Sequence, residues 1–248
     1  MKKFLKALTV LAAVATFSSP AAAQLNGELS VSTSAFQTFS AKAALEYNLA
    51  LTSQAKLAIG AIYTTGAFGV NGTGALSTYV NLDYALNDKF NVGAELGLDI
   101  SSLGVNNTVG VTLIPFAVFH AIDNGQLTLD VTGQLPMTIV QPFDLGFTLS
   151  VDGTYFVNKP FSIEFGADAG LGLVPAFGFA GAGFYATLKY QISDPFLVFA
   201  GFSGSYLTTF GYDITAGLRY DLSSVFALKL TAGYDGAFRA TLQGLYNR

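Results

Sequence analysis

Cysteine and tryptophan are absent from this 248-residue chain, histidine occurs once, and charged residues make up only 11% of it. Without cysteine no disulfide framework can form, so the fold must be held by its own ladder of backbone hydrogen bonds. One histidine and no cysteine cannot furnish a zinc cage. The charge content is less than half the ~25% of ordinary soluble domains, and with 51% apolar residues a soluble protein would struggle to cover its surface. Long apolar runs are missing too: no stretch approaches the ~20 consecutive apolar residues that a membrane-spanning helix needs. High average apolarity without a long apolar run is the combination expected of a transmembrane β-barrel.

The chain opens with Lys2, Lys3 and Lys6 ahead of an apolar run from Ala7 to Phe17, followed by Ala21-Ala22-Ala23. A basic start, a short apolar stretch and small residues at a cleavage site read as a secretory signal peptide over residues 1–23, leaving a barrel domain over 24–248. No cysteine follows the apolar run to carry a lipid anchor. Removing the segment reduces twelve basic residues to nine against sixteen acidic ones, a formal charge of −7, which argues against nucleic acid as a partner.

What is present is alternation. Thirteen acidic and six basic side chains fall in strand-like stretches, and all can be placed on one face of their strands with the other face apolar. Strands carrying several charges are diagnostic: Lys42 with Glu46, Glu95 with Asp99, Asp144 with Asp152, Glu164 with Asp168, Lys229 with Asp235, and Asp213 with Arg219 and Asp221 share parity. A strand with lipid on one side and water on the other must sort its charges this way.

Polar breaks recur at Leu51-Thr52-Ser53, Asn87-Asp88-Lys89, Asp123-Asn124-Gly125, Asn158-Lys159-Pro160, Ser193-Asp194-Pro195 and Leu222-Ser223-Ser224. Counted from Leu51 through Asp88, Asn124, Lys159, Asp194 and Ser223 they are 37, 36, 35, 35 and 29 residues apart, room for two membrane-crossing strands and one further loop in each interval. The other connections fall at Ala35 to Phe39, Gly66 to Gly74, Ser101 to Asn107, Leu135 to Gln141, Leu171 to Phe177, Leu207 to Gly211, and the Asp235-Gly236 pair, which reads as a two-residue hairpin turn. The count is about fourteen strands, within a range of twelve to sixteen. Phe90, Phe161, Phe196 and Phe226 follow the polar breaks, and Tyr47, Tyr84, Tyr155, Tyr190 and Tyr220 precede them, as an aromatic belt at one membrane interface would require.

On this pattern the whole segment from Gln24 to Arg248 resembles bacterial outer-membrane β-barrels of the porin type. The resemblance implies an all-β fold, a single antiparallel up-and-down transmembrane barrel with both termini periplasmic. It also implies residence in the bacterial outer membrane, contact with outer-membrane lipid, insertion by the barrel assembly machinery, and homo-oligomers as in many porins. Such barrels often end on an aromatic residue, whereas this chain ends Leu245-Tyr246-Asn247-Arg248, with Tyr246 set back from the end.

The inward face is expected to be rich in glycine (Gly93, Gly97, Gly146, Gly166, Gly170, Gly172, Gly217, Gly233), leaving room for water. No long segment precedes the first expected strand to serve as a hatch. Inward charge is uneven. From the fourth to the ninth strand it is acidic throughout: Asp83, Glu95, Asp99, Asp130, Asp144, Asp152, Glu164 and Asp168. The remaining strands mix the basic Lys42, Lys56, Lys189, Arg219, Lys229 and Arg239 with Glu28, Glu46, Asp213, Asp221 and Asp235. One wall thus carries −8, and the other, six bases against five acids, +1. Such a transverse field favours small cations.

Two strands break the pattern. Pro115 cannot donate to the ladder, so a bulge is expected there that turns Phe116 and Val118 toward lipid. Leu197 and Phe199 fall on the inward face without an evident reason. No catalytic, cofactor-binding or metal-binding site is expected. His120 has Asp123 three residues on but no serine close in sequence, and reads as an interfacial histidine. Carboxylate pairs such as Glu95 with Asp99 lack the six to eight oxygens of a hard-cation site, and the glycine-rich piece from Gly178 to Gly183 lacks the lysine of a phosphate loop. The reading is a passive channel for small hydrophilic solutes and ions, modestly cation-preferring. The alternative is a structural barrel that anchors an envelope layer or a partner and conducts little.

Overall fold

The computed structural model describes residues 23–34, 38–65, 74–103, 108–140 and 142–247. Within them the chain forms β1 (Ala23–Ser34), β2 (Thr38–Ala50), β3 (Ala55–Thr65), β4 (Gly74–Asn87), β5 (Phe90–Leu103), β6 (Thr108–Asp123), β7 (Leu127–Gln134), β8 (Met137–Thr138), β9 (Asp144–Asn158), β10 (Phe161–Val174), β11 (Gly178–Ser193), β12 (Phe196–Tyr206), β13 (Phe210–Asp221), β14 (Phe226–Tyr234) and β15 (Phe238–Asn247). The expected signal segment lies outside the described residues except for Ala23, which opens β1. The connections expected around 35–37, 66–73 and 104–107 lie outside them as well.

Successive strands pair antiparallel, and β15 returns to pair with β1 from Asn26↔Asn247 to Ser34↔Arg239, which closes the sheet into a cylinder. The two-residue β8 continues β7 after the break at Leu135-Pro136, and both lie between β6 and β9. Fourteen staves result, the number read from the sequence. Asn26 pairs with Asn247 at the end where Ala23 meets Leu49, so both described chain ends emerge beside the short turns.

The polar breaks work as turns because their side chains bond to the backbone. Thr52 Oγ1 accepts the Ala55 N–H at 2.9 Å, Asn124 Oδ1 the Leu127 N–H at 2.8 Å, Asn158 Oδ1 the Phe161 N–H at 2.9 Å, and Ser223 Oγ the Phe226 N–H at 3.1 Å. Gly125 takes a left-handed φ of 78° in one of these turns. At the opposite end Tyr234 pairs with Phe238, so the Asp235-Gly236 turn is a three-residue loop rather than the two-residue one expected. Its middle residue, Gly236, has φ 104°.

Burial is inverted relative to a water-soluble protein. Along β4 the apolar Val80, Leu82, Tyr84 and Leu86 are exposed, while Asn81, Asp83 and Ala85 between them are half-buried. Along β14 Phe226, Leu228, Leu230 and Tyr234 are exposed, while Lys229, Thr231 and Gly233 are half-buried. Leu25 and Ala227 are the only hydrophobic residues that count as buried among the described residues, and no large side chain is fully buried. There is therefore no dry core between two layers, and a sandwich is excluded. The apolar side chains splay apart on the convex side of a curved sheet and the polar ones crowd together on the concave side. Tyr84, Tyr155, Tyr190, Tyr220 and Phe226 stand exposed on the apolar face next to the short turns. The phenols of Tyr84 and Tyr155 meet the turn residues Gln54 and Gln126 at 3.2 Å, polar tip toward the turns and ring toward the barrel wall.

The structure corrects the reading of β6. Its register with β5 runs without a shift from Ser101↔Thr108 to Phe90↔Phe119, through Ala94↔Pro115, so no bulge forms at the proline. Phe116 and Val118 therefore remain on the face of Gly93 and Asn91, the polar one, and do not turn to the apolar side. The ladder tolerates Pro115 because the carbonyl of Pro115 accepts the Leu135 N–H at 2.9 Å, and the donor the proline lacks would point to the same edge. That edge is where the neighbouring stave is itself interrupted at Leu135-Pro136. The irregularity in β6 comes later, between His120 and Ile122 against β7.

Neighbouring residues of β14 allow a direct test of the two faces. Leu230→Arg should destabilise the folded protein in phospholipid vesicles by about 2–4 kcal/mol, and Thr231→Arg by less than half of that. Reversible denaturant titration in vesicles reads both, and equal costs would contradict the face assignment.

Candidate functional site

Cross-strand registers trace the charges around the cylinder. Glu28 faces Ala44 next to Lys42 and Glu46, Glu46 faces Gly60, and Lys56 faces Asp83. The same face passes through Gly93↔Asp83, Gly97↔Tyr79 and Asp99↔Ser77 on β5. It continues through His120↔Asp130, Asp130↔Asp152, Asp152↔Gly166 and Ser162↔Lys189. It closes through Lys189↔Phe199, Leu197↔Arg219, Arg219↔Lys229, Gly233↔Arg239 and Leu245↔Glu28. The parity is consistent over the whole circuit: eighteen of the nineteen charges read from the sequence lie on this polar face within strands, and Asp235 joins them from the loop after β14 through its pair with Arg239. Asp144, at the start of β9, belongs to it as well, opposite Thr138 of β8.

The bases of this face are largely paired. Lys42 Nζ meets Glu28 at 3.2 Å, Arg219 Nε meets Asp221 at 2.7 Å, and Arg239 meets Asp213 at 2.7 Å and Asp235 at 3.3 Å. Lys189 is paired with Glu164. Lys229 Nζ stands 5.0 Å from the centroid of the Phe199 ring. Lys56 faces Asp83 in register, but no ion pair joins them.

The acids of the expected acidic wall are left much barer. Strands β4 to β10 contain nine acids, the eight expected for this wall and Asp123 at the end of β6, and neither lysine nor arginine. Among the described residues Glu95, Asp99, Asp144 and Asp168 take part in no hydrogen bond or ion pair of their side chains. Asp83 receives only the Asn91 amide at 3.4 Å, and Asp152 the Tyr185 phenol at 2.9 Å. Asp130 Oδ1 lies 2.7 Å from Nδ1 of His120. This pair went unseen in the sequence, where His120 was read beside Asp123. Asp123 pairs with Thr128 across this turn, and the register shift between His120 and Ile122 then sets residue 120 opposite 130, so turn chemistry alone would not have found it.

Several glycines of the polar face do not open space. A Cβ on Gly60 would collide with the Tyr79 ring, and one on Gly166 with the Tyr185 ring. Each ring reaches over the stave next to its own, and its phenol donates to a carboxylate two staves away: Tyr79 to Glu46 across β3, and Tyr185 to Asp152 across β10. Phe199 lies on Gly217 in the same way, which explains its inward position: it needs the bare backbone beneath it and carries the Lys229 ammonium on its face. Residues from well-separated staves also meet. Asn26, Glu28, Glu46, Tyr79, Arg219 and Asn247, from β1, β2, β4, β13 and β15, line one cavity of about 330 Å³.

No family model matches the chain, and no curated protein does. Solved structures do. The toluene transporter TodX of Pseudomonas putida superposes with a TM-score of 0.62 at 11% identity, covering 93% of this chain and 90% of that one. CymD, described as a monoaromatic hydrocarbon channel, gives 0.60 at 10% identity over 92% of this chain and 88% of that one. The Ralstonia pickettii toluene transporter TbuX gives 0.60 at 9% identity over 92% and 89%. The fold is that of the outer-membrane β-barrel channels.

The ring-on-glycine contacts carry their own test. Gly166→Ala should lower stability by about 1–3 kcal/mol, because the added methyl displaces Tyr185 and its bond to Asp152. Gly178→Ala, where the added methyl meets nothing within 4 Å, should cost far less. The temperature at which the folded band is lost on a semi-native gel compares the two.

Proposed function

We propose that the polar face is the wall of a water-filled pore, and that the chain is an outer-membrane channel through which small hydrophilic solutes and ions diffuse with a modest preference for cations. The observation that carries this reading is the imbalance of the wall. The acids of β4 to β10 mostly lack an ion pair, while every strand base except Lys56 is held by a neighbouring acid or by Phe199. A field of one sign over half of a confined wall attracts counter-ions and raises their local concentration. Screening acts over ~8 Å at physiological salt, so the preference is modest rather than absolute. Enclosure is supported by the contacts two staves apart and by the cavity that β4 and β13 share.

The named neighbours carry hydrocarbons. Nineteen charges on the polar face argue for a different cargo here, since each would have to be desolvated beside an apolar solute. In this reading the segment up to residue 23 directs export and is removed, the short turns and both termini face the periplasm, and the apolar face meets outer-membrane lipid after insertion by the assembly machinery. A second reading, an accessory barrel with little conductance, draws on the rings of Tyr79, Tyr185 and Phe199, which take up room over the wall.

Reconstitution in planar bilayers under a KCl gradient separates the two. The channel reading expects discrete conductance steps and a reversal potential on the potassium side, and absence of steps would contradict it. Replacing Glu95, Asp130 and Asp168 by their amides should reduce the potassium-to-chloride permeability ratio by about twofold or more. An unchanged reversal potential in that variant would remove the acidic wall from the explanation.

A further inference from the structure

Two phenylalanines of the polar face lie on glycines of the preceding or following stave, and their surroundings differ in one respect. Phe199 of β12 covers Gly217 of β13, and the Lys229 ammonium from β14 stands over its ring. Phe116 of β6 covers Gly93 of β5 in the same manner, but the stave beyond offers a carboxylate instead: Asp83 of β4 is the register partner of Gly93. Asp83 Oδ1 is shielded and has no hydrogen-bond partner. Glu95, two residues from Gly93, faces Ile114, two residues from Phe116. On this side of the barrel, ring and carboxylates are present and the ammonium is missing.

The stripe around Phe116 is apolar. Ile114, Phe116 and Val118 follow one another on the polar face of β6, each half-buried, and Asp130 flanks the stripe beyond Thr132 on the β7 side. An apolar stripe bordered by Asp83 and Glu95, neither of which has an ion pair, suits neither of the simpler solutes. A neutral hydrocarbon would desolvate the acids without compensation. A hard inorganic cation would find two carboxylates and no ring of six to eight oxygens. An ammonium attached to an apolar body matches both parts: charge beside Asp83 and Glu95 and against the ring face, hydrocarbon along Ile114 and Val118.

We propose that Phe116, Asp83 and Glu95 form a subsite for the ammonium group of an organic cation, with Ile114 and Val118 receiving its apolar part. The subsite rests on the pore reading for access and deepens it by naming the class of solute that lingers in the channel. The Phe199–Lys229 pair shows the same contact already made within this barrel. Lys56 is the register partner of Asp83, and the subsite takes a solute only if that lysine stays in water, as its exposure and lack of an ion pair indicate.

Benzyltrimethylammonium and benzenesulfonate, similar in size and opposite in charge, serve as probes of the full-length folded protein. In planar bilayers the cation should reduce the KCl current at millimolar concentration and the anion should not. Phe116→Leu, which keeps an apolar side chain, should raise the half-blocking concentration by about three- to tenfold, and Phe116→Tyr should restore block. Saturation-transfer NMR on the detergent-solubilised protein reads binding without conduction. Selective, Phe116-dependent saturation of the cation in a protein that shows no conductance steps would contradict the channel and keep the subsite. Equal effects of the two ions, or cation block and saturation indifferent to Phe116→Leu, would overturn the subsite and leave the channel standing.

Discussion

The seam between β1 and β15 is the contact on which the rest depends. A strand edge surrounded by hydrocarbon finds no water to satisfy its N–H and C=O groups, so a sheet can live there only if its last strand meets its first. Backbone pairing from Asn26↔Asn247 to Ser34↔Arg239 achieves this. Side chains reinforce it on the polar face, where Ser32 and Thr241 share a hydrogen bond at 2.9 Å and Gln243 donates to Glu28 at 3.1 Å. The chain has no cysteine for a disulfide, and the described residues form no packed core that could take over that role.

Closure leaves the sheet with two faces and assigns each a solvent. Large apolar side chains go to the convex face, where they stand exposed, and the charges go to the concave one. Curvature then does something a flat sheet does not: it brings side chains two staves apart within reach of each other. Glycine on the intervening stave lets an aromatic ring pass over it, so that Tyr79 and Tyr185 each tie three staves together. Most bases of the wall are consumed in local contacts while many of the acids are not, and the net field of the interior follows from that asymmetry rather than from the total charge.

The staves and their faces were legible in the sequence because both are local properties. Period-two alternation needs only neighbours along one strand, and turns such as Asn124-Gly125 and Asn158-Lys159-Pro160 announce themselves by residue type. Contacts between strands were much less legible. Pro115 was read as a bulge because the sequence does not show that its missing donor points at the break in the neighbouring stave, some twenty residues on. Phe116 was therefore sent to the wrong face, and the stripe it forms with Ile114 and Val118 was lost from view. The inward glycines were read as open space, although Gly93, Gly166 and Gly217 are seats for rings, a fact that depends on the register between staves. Leu197 and Phe199 were placed on the correct face, but the reason for Phe199 lies with Gly217 and Lys229, on two different strands.

A chain free of cysteine lends itself to single-cysteine scanning, and the stretch from Leu228 to Gly233 of β14 puts the central claim to the most direct test. Each residue in turn would be replaced by cysteine and the protein, folded in vesicles, exposed to a charged, water-soluble maleimide. Positions 229, 231 and 233 should react and 228, 230 and 232 should stay protected, because the first set faces water inside the cylinder and the second faces hydrocarbon. Labelling without a period of two, or with the opposite phase, would contradict the account.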